Sequence, residues 1–476
     1  MGGWMSSESL DCKCRLFGRK WFATVLLLLF SAAPGYTNSA EAMVSDSPPG
    51  LLAAVPFVLL LLGIGLFPLI LPHVWHYDSI KVLFTMALSV PVALLLPAET
   101  TQHALLEYFA FMALIGSLFV VAGNIHLEAT WRGTPLTNTA LLAVGAILAN
   151  LLGTTGASML LIRVLLGTNR GRSRQVHLVI FFIFIVSNTA GLLTPLGDPP
   201  LFLGFLHGVP FTWTFGLMPQ WLFVNGTLLG LFWLIDTRLA EKTTDMGSGQ
   251  SSTVNLAPGT NQLASTLFVQ GEHNLFFLLG IVAAVLLKGR LGEGMFSLVA
   301  SGGLMLLMGG LSIRTTPAAL RRLNGFSWGP VLEVGILFAG LFVTMGPAIQ
   351  ILEHKSPELG IHHAWQYFWL TGMLSSLLDN APTYVAFASL ALGGSGLGSS
   401  ANFGDLAHWE GGAILAAISC GAVFMGANTY IGNGPNFMVK SIAESQGVRM
   451  PGFFGYMIWS GAILVPLFGL CSLLFF

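Results

Sequence analysis

Long apolar runs, each ended by charged residues or by Pro and Gly, follow one another along most of the chain. A helix needs about 20 apolar residues to cross a bilayer. In the first half the pattern predicts membrane segments near 51–72, 79–97, 103–125, a pair within 137–167, a long one over 175–210, and 213–236. After residue 272 the same order returns, with segments near 273–287, 295–311, 328–352, a pair within 362–392, a long one over 411–446, and 452–475. We therefore predict an all-α polytopic membrane protein built from two repeats.

The distribution of Lys and Arg indicates how the repeats lie in the membrane, because short cytoplasmic loops retain basic residues. With the mature N-terminus outside, most basic residues face the cytoplasm, and only Lys288, Arg290 and Lys355 face out. This bias holds only if each paired segment is a re-entrant hairpin, which enters and leaves the membrane on one side. The two hairpins then open to opposite sides. We therefore predict inverted-topology repeats, each with a re-entrant hairpin and a broken transmembrane helix.

The N-terminal segment and the centre of the sequence differ in composition from the apolar membrane segments. Residues 1–42 are predicted to be a cleaved signal peptide, with a basic start, a short apolar core at 21–33 and a small-x-small site at Ala40-Glu41-Ala42. An uncleaved signal anchor is the alternative. We place the first transmembrane repeat at 43–236, a loop-like cytoplasmic linker at 237–272 and the second, inverted repeat at 273–476. The expected location is the bacterial inner membrane, with the mature N-terminus and the C-terminus outside.

Composition excludes several functional classes. With 54% hydrophobic and 9% charged residues and a mean hydropathy of +0.76, the chain cannot hide its apolar surface in a soluble globule. The net charge of −1 says nothing about partners, but the lack of a basic stripe argues against a nucleic-acid partner. The four cysteines have no metal-site spacing, and neither HExxH nor GxSxG occurs. We expect no enzyme activity and no resident cofactor, and membrane lipid as a partner.

A polar phrase that interrupts the long apolar segment of each repeat is the main functional signal. Ser187-Asn188-Thr189, followed by Thr-Pro-Leu-Gly-Asp-Pro-Pro at 194–200, recurs as Ala427-Asn428-Thr429, followed by Ile-Gly-Asn-Gly-Pro-Asn at 431–436. A membrane tolerates broken backbone only where protein or a water-filled cavity satisfies its polar groups. Two such breaks in corresponding halves indicate the binding site of a transporter.

We expect four non-helical tips to meet near the middle of the membrane: the two breaks and the hairpin turns near 150–156 and 379–383. Their polar side chains are the candidate ion or substrate ligands: Asp198, Asp379, Asn380, Asn188, Thr189, Asn150, Thr154, Thr194, Thr383, Asn428, Thr429, Asn433 and Asn436. Carbonyl, amide, hydroxyl and carboxylate oxygens suit small hard cations. Asn and Thr can also hydrogen-bond a carboxylate substrate, so they do not identify the ion.

The two carboxylates are the more specific candidates. A fixed charge in mid-membrane costs about 2.5–3.5 kcal/mol on insertion scales, so Asp198 and Asp379 are expected to bind the transported Na⁺. The structural alternative is that each caps the helix that follows it. Asn433 takes the position of Asp198 in the second repeat, and Gly153 that of Asp379 in the first. Each half therefore supplies one acid.

Other ionisable residues are weaker candidates. Glu99, Glu107 and Glu410 lie at span ends and are expected at the membrane interface. His177 and His207 flank the first broken helix, where histidine could respond to pH, although single histidines at span ends are more often interfacial.

These motifs resemble the ion transporter superfamily, which includes NhaD-type sodium/proton antiporters, arsenite efflux permeases, citrate-transporter-like permeases and divalent-anion/sodium symporters. Asp379-Asn380-x-Pro382 is similar to the DN-x-P hairpin of the NhaD group, and Thr194-Pro195-Leu196-Gly197-Asp198 to its S/T-P-x-G-D break. Ser187-Asn188-Thr189 resembles the SNT signatures of the dicarboxylate members. The first hairpin departs from the NhaD pattern, with Gly153-Thr154-Thr155-Gly156 in place of an acidic tip.

The resemblance extends from about residue 51 to the C-terminus. It implies a homodimer in which the first three spans of each repeat form a scaffold, while the remaining elements move as an elevator-type transport domain. The leading expectation is Na⁺ or Li⁺ efflux in exchange for protons, because burial favours the protonated carboxyl group and a bound cation favours the ionised one. The alternative is a sodium-coupled transporter of citrate or another di- or tricarboxylate, with the Asn-Thr motifs on the substrate.

Overall fold

A computed structural model describes residues 49–247, 267–292, 294–398, 401–408 and 411–476 of the chain. The predicted signal peptide and its cleavage site lie outside these residues, as do positions 248–266 of the predicted linker and Glu410.

The described chain is almost entirely helical, with one small antiparallel ribbon. The main helices are α1 (Val55–Ile70), α2 (Asp78–Leu95), α3 (Ala98–Gly123), α4 (Pro135–Thr168), α5 (Val176–Ile185), α6 (Pro199–Leu206), α7 (Met218–Gly247), α8 (Asn274–Leu291), α9 (Met295–Thr315), α10 (Gly329–Lys355), α11 (Ala364–Ser375), α12 (Asn380–Gly394), α13 (Gly412–Met425), α14 (Gly434–Ser445) and α15 (Phe453–Phe475). Short helical segments lie at Leu51–Ala54, Pro72–Trp75, Thr189–Leu192, Trp213–Leu217, Ala318–Leu323, Ser356–Glu358, Phe403–His408 and Gly426–Asn428. Strand β1 (His126–Ala129) pairs with β2 (Leu267–Gln270), so that His126 faces Gln270.

Within the described residues, nine helices are long and apolar enough to cross a bilayer. Large apolar side chains on the outer helices point away from the protein: Leu95 of α2 is 85% exposed and Phe276 of α8 is 75% exposed. A surface of this kind needs lipid around it. The prediction of a mostly helical, multi-pass membrane protein is therefore confirmed.

Helices α5 and α13 are apolar for a different reason. Both are buried along nearly their whole length, with Phe181 and Ile418 fully inaccessible to solvent. A helix that is hydrophobic all round belongs in a protein interior. Around this core, α11 packs on α13, α12 packs on α6 and α10, and α3 packs on α9 and α10.

Helix α4 folds back on itself at Gly153. The backbone of Gly153 has φ 75° and ψ 156°, which interrupts the helix. A Cβ on Gly145 in the first arm would lie 3.0 Å from Leu161 in the second, so the arms run side by side. At the open end, the amides of Asn138 and Asn169 exchange hydrogen bonds of 3.1 and 2.8 Å. Both ends of this first hairpin therefore lie together.

Helices α11 and α12 form a second hairpin, which turns over Ser376–Asp379. Ser356, shortly before α11, donates a 2.5 Å hydrogen bond to the carbonyl of Leu390 near the end of α12. Gly393 of α12 lies against the backbone of Glu353 in α10, where a Cβ would come within 2.4 Å of the Cα atom. The start of α11 and the end of α12 therefore lie on the same side.

A buried ion cluster holds the open end of the first hairpin to α7. Asp236 of α7 is fully buried and accepts hydrogen bonds from Arg172 at 3.1 Å and Asn138 at 2.9 Å, while His177 Nε2 lies 2.9 Å from its Oδ1. The His177 ring is therefore buried against a carboxylate. Helix α7 continues to Gly247, so the first residues of the segment predicted to be a loop are helical.

Gly153 should be sensitive to any side chain. Its φ and ψ fall in a region used almost only by glycine, and an added Cβ would lie 3.2 Å from the carbonyl of Leu196. We expect Gly153→Ala to destabilise the protein by about 1–3 kcal/mol. The measurement is the thermal unfolding midpoint of the purified protein in detergent.

Gly310→Ala is the matched control, because Gly310 lies inside α9 with nothing within 4 Å of an added Cβ. It should leave stability unchanged or raise it, since alanine favours a helix over glycine. Equal melting points for Gly153→Ala and the unsubstituted protein would contradict the turn geometry.

Candidate functional site

Asp198 lies where both hairpins and both helix breaks meet, and its side chain is 1% exposed. Its carboxylate accepts hydrogen bonds from Thr154 Oγ1 at 2.9 Å, from Asn433 Nδ2 at 3.4 Å and from Asn380 Nδ2. Thr154 belongs to the first hairpin, Asn380 to the second, and Asn433 to the second break. One carboxylate is therefore bound by all three of the other elements.

The local backbone explains why Asp198 points into this site. Pro199 and Pro200 start α6, and Asp198 precedes them in an extended conformation, with φ −146° and ψ 143°. Its side chain makes no capping hydrogen bond to α6. The capping alternative is therefore wrong for Asp198, and its carboxylate is available to the hairpin tips.

Asp379 behaves differently from Asp198. Its Oδ1 accepts a 3.1 Å hydrogen bond from the amide of Ala381, so it caps α12, and its side chain is only partly buried. Thr383 Oγ1 donates to the backbone carbonyl of Asp379 at 2.9 Å and also braces this turn. The capping alternative is right for Asp379, which still lies close enough to act on Asp198 electrostatically.

Helix N-termini surround the site. Thr154 opens the second arm of α4, α12 begins at Asn380, and α6 and α14 begin directly after Asp198 and Asn433. The unpaired N–H groups of a helix start carry a partial positive charge. In the described residues no Lys, Arg or His forms an ion pair with Asp198 or Asp379. Helix ends and neutral donors therefore compensate these carboxylates.

Glycine lets each break fold tightly. A Cβ on Gly197 would lie 2.3 Å from the carbonyl oxygen of Gly191, and one on Gly432 would lie 2.7 Å from that of Gly426. In both breaks the two glycines are six positions apart. This spacing matches Asp198 with Asn433, as the sequence predicted.

The same spacing corrects another sequence match. Thr194 Oγ1 donates to the carbonyl of Asn150, and Thr429 Oγ1 to that of Ser376, each at 2.5 Å. Thr194 and Thr429 both lie three residues before the second glycine, and each ties its break to the hairpin of its own half. Thr429 therefore corresponds to Thr194, not to Thr189, and the match between Asn188-Thr189 and Asn428-Thr429 is wrong by five residues.

Asn188 links the first helix break to the second through side-chain hydrogen bonds. Its Nδ2 donates to Asn436 Oδ1 at 2.7 Å, and its Oδ1 accepts from Asn433 Nδ2 at 3.2 Å. Asn436 Nδ2 in turn donates to the carbonyls of Gly426 and Thr429, each at 2.9 Å. Asn188, Asn433 and Asn436 thus form one buried amide network beside Asp198.

Some predicted residues brace the site without facing Asp198. Asn150 Oδ1 accepts from the amide of Leu193 at 2.8 Å, and its carbonyl holds Thr194. Thr189 turns away, with its Oγ1 2.8 Å from Asn225 Oδ1 of α7. Asn225 is a further residue of this region. Its signal in the sequence is an amide directly after the apolar run Trp221–Val224 of α7.

Among the residues that the structure describes, two buried amide oxygens near the tips have no hydrogen-bond donor. Asn380 gives its Nδ2 to Asp198, which leaves its Oδ1 without a partner. Asn428 gives its Nδ2 to Ser376 Oγ at 2.9 Å, and its Oδ1 is likewise unpartnered. Buried polar atoms are normally satisfied, so these oxygens are suited to a ligand that attracts acceptors.

The comparison with known proteins agrees with the resemblance found in the sequence. A family described as "Putative citrate transport" matches residues 47–476, which is nearly the whole chain. No curated protein matches the chain significantly.

The contacts of Thr194 and Thr429 predict a matched pair of effects. Valine has nearly the same shape as threonine but no hydroxyl, so Thr194→Val and Thr429→Val should each leave a buried hairpin carbonyl without its donor. We expect both variants to lose about 1–3 kcal/mol of stability, measured by thermal unfolding in detergent. Thr139→Val removes a hydroxyl that bonds within its own helix and should cost less. A loss in only one of the paired variants would contradict the correspondence.

Proposed function

The chain belongs to this citrate-transport family, and we propose that it is a secondary transporter in which Na⁺ or Li⁺ and protons compete for Asp198. The burial of Asp198 among hairpin tips and helix breaks carries this proposal. The carboxylate can be neutralised by a proton or by a cation, but each excludes the other. Exchange of one for the other moves both solutes in opposite directions.

The hydrogen bonds at Asp198 support a cation ligand. An ionised carboxylate offers about four acceptor positions, and three donors reach Asp198. One position is left for a cation. The unpartnered oxygens of Asn380 and Asn428 add neutral acceptors at the tips. Oxygen ligands of this kind suit small hard cations.

We also propose that the two halves are inverted repeats whose hairpins enter the membrane from opposite sides. The matched contacts of Thr194 and Thr429 support this relation. In this proposal α1–α3 and α8–α10 form a scaffold in a homodimer, and the remaining helices move as an elevator-type transport domain. The proposed location is the bacterial inner membrane, with both mature ends outside.

Sodium-coupled transport of citrate is the second candidate. The family description favours it directly. The helix N-termini around Asp198 favour it as well, because their partial positive charge suits a carboxylate substrate. A polyanion would still need bound Na⁺ to offset Asp198 and Asp379, which places this candidate second.

The test is proton flux in proteoliposomes that contain the purified full-length protein and an internal pH-sensitive dye. Addition of Na⁺ or Li⁺ should dissipate an imposed pH gradient, and K⁺ should not. Asp198→Asn should abolish the Na⁺-evoked signal, because the amide can neither bind a proton nor carry the charge. Asp379→Asn should reduce it more moderately, because this carboxylate acts at a distance.

Glu358→Gln is the matched control, since Glu358 is an exposed acid paired with Lys355. It should retain the full signal. Undiminished Na⁺-evoked proton flux in Asp198→Asn would refute the carboxylate mechanism. Na⁺-dependent citrate uptake without Na⁺-evoked proton flux would establish the second candidate instead.

A further inference from the structure

A cavity of about 230 Å³ lies at the far end of α6 from Asp198. Its walls come from α3, α8, α9, α10 and α12, and from the residues after α6. The titratable groups that line it are His103 and Glu107 of α3, His207 at the end of α6, Lys288 of α8 and Glu353 of α10. This cluster is separate from the tips around Asp198, and the proposed exchange does not use it.

Glu107 is the central group of this cluster. Its residue is 8% exposed. Its Oε1 lies 3.6 Å from His103 Nδ1 and 3.8 Å from His207 Nε2. His103 is on the same helix, whereas His207 belongs to a different element. Of these two contacts, only the one with His207 reaches from α3 to another element; α3 and α6 also meet through the rings of Phe111 and Phe202, whose centroids are 6.5 Å apart.

The tautomer of His207 follows from its other contact. Its Nδ1 lies 2.9 Å from the carbonyl oxygen of Leu203, and a carbonyl can only accept, so Nδ1 carries a proton. In the neutral ring, Nε2 therefore has a lone pair. That lone pair would face the carboxylate of Glu107, and two acceptors repel. The contact is attractive only when a proton is bound to His207 Nε2 or to Glu107.

Two further charged groups, Lys288 of α8 and Glu353 of α10, line this cavity. Lys288 Nζ donates to the carbonyls of Phe205 at 3.1 Å and Leu206 at 3.4 Å, and so caps the end of α6. Phe403 stacks on the His207 ring at 5.0 Å and fixes its plane. The ring is thus held in place while its Nε2 faces Glu107.

We propose that His207 and Glu107 form a second proton-binding site, whose bound proton holds α6 against α3. Helix α6 is eight residues long and begins directly after Asp198, so this contact and the Lys288 cap act at the far end of the helix that follows the central carboxylate. The joined state binds one more proton than the separated state. Raising the pH therefore weakens this contact at the end of α6, and lowering the pH strengthens it.

The test is the distance between spin labels on the full-length protein in lipid nanodiscs. Labels replace exposed Thr100 on α3 and exposed Thr212 after α6, in a background with Cys12→Ser and Cys14→Ser. Double electron–electron resonance between pH 5 and 8, where histidines change charge, should show a longer distance as the pH rises. For one proton, the ratio of long to short populations should change by up to about tenfold per pH unit.

Two variants should remove this response without breaking the contact. In His207→Gln the amide donates to Glu107 at every pH, and in Glu107→Gln the amide pairs with either form of His207. Both should keep the short distance throughout. His103→Gln is the matched control, because His103 faces the same oxygen from the same helix as Glu107, and its response should persist.

A distance that does not change with pH in the unsubstituted protein would overturn the proposal. So would a pH response that survives His207→Gln and disappears in His103→Gln. The readout needs no transported solute, and it is therefore independent of the proposed exchange.

Discussion

The burial of the Asp198 carboxylate is the constraint on which the centre of this protein depends. A buried charge is costly unless it is paired or hydrogen-bonded, so it has to be matched by donors or by a bound ion. Thr154, Asn380 and Asn433 supply those donors from three separate elements. The hairpins and the breaks are therefore held around one charge, and any change in that charge alters the contacts of all four elements.

Broken backbone is tolerated here because it is buried in protein. Each break closes through two glycines whose backbones nearly touch, and each is tied to its hairpin by one threonine hydroxyl. Lipid could not satisfy these groups. The same crowding explains why the first hairpin has no acid at its tip: it reverses at Gly153 alone, whose backbone angles and proximity to Leu196 exclude a side chain. The second hairpin turns over several residues and has room for Asp379.

Much of this arrangement could be predicted from the sequence, because hydrophobic runs and Pro-Gly breaks are local signals. They located most helices to within a few residues, except that α7 continues to Gly247, and they identified Asp198 and its partners. The direction in which individual side chains point was harder to predict. Thr189 and Thr194 are equally plausible ligands in sequence, and only the packing of the first hairpin on its break decides that Thr194 holds the hairpin while Thr189 meets Asn225. The burial of Glu107 depends likewise on contacts between helices distant in sequence.

Competition between a cation and a proton at Asp198 is the central claim, and Na⁺ binding to the purified protein as a function of pH tests it most directly. Isothermal titration calorimetry in detergent should give a dissociation constant for Na⁺ that rises by up to about tenfold for each unit of acidification in the range where the carboxyl group is protonated. Asp198→Asn should show no Na⁺ binding. A dissociation constant that is independent of pH, or Na⁺ binding that persists in Asp198→Asn, would contradict the account.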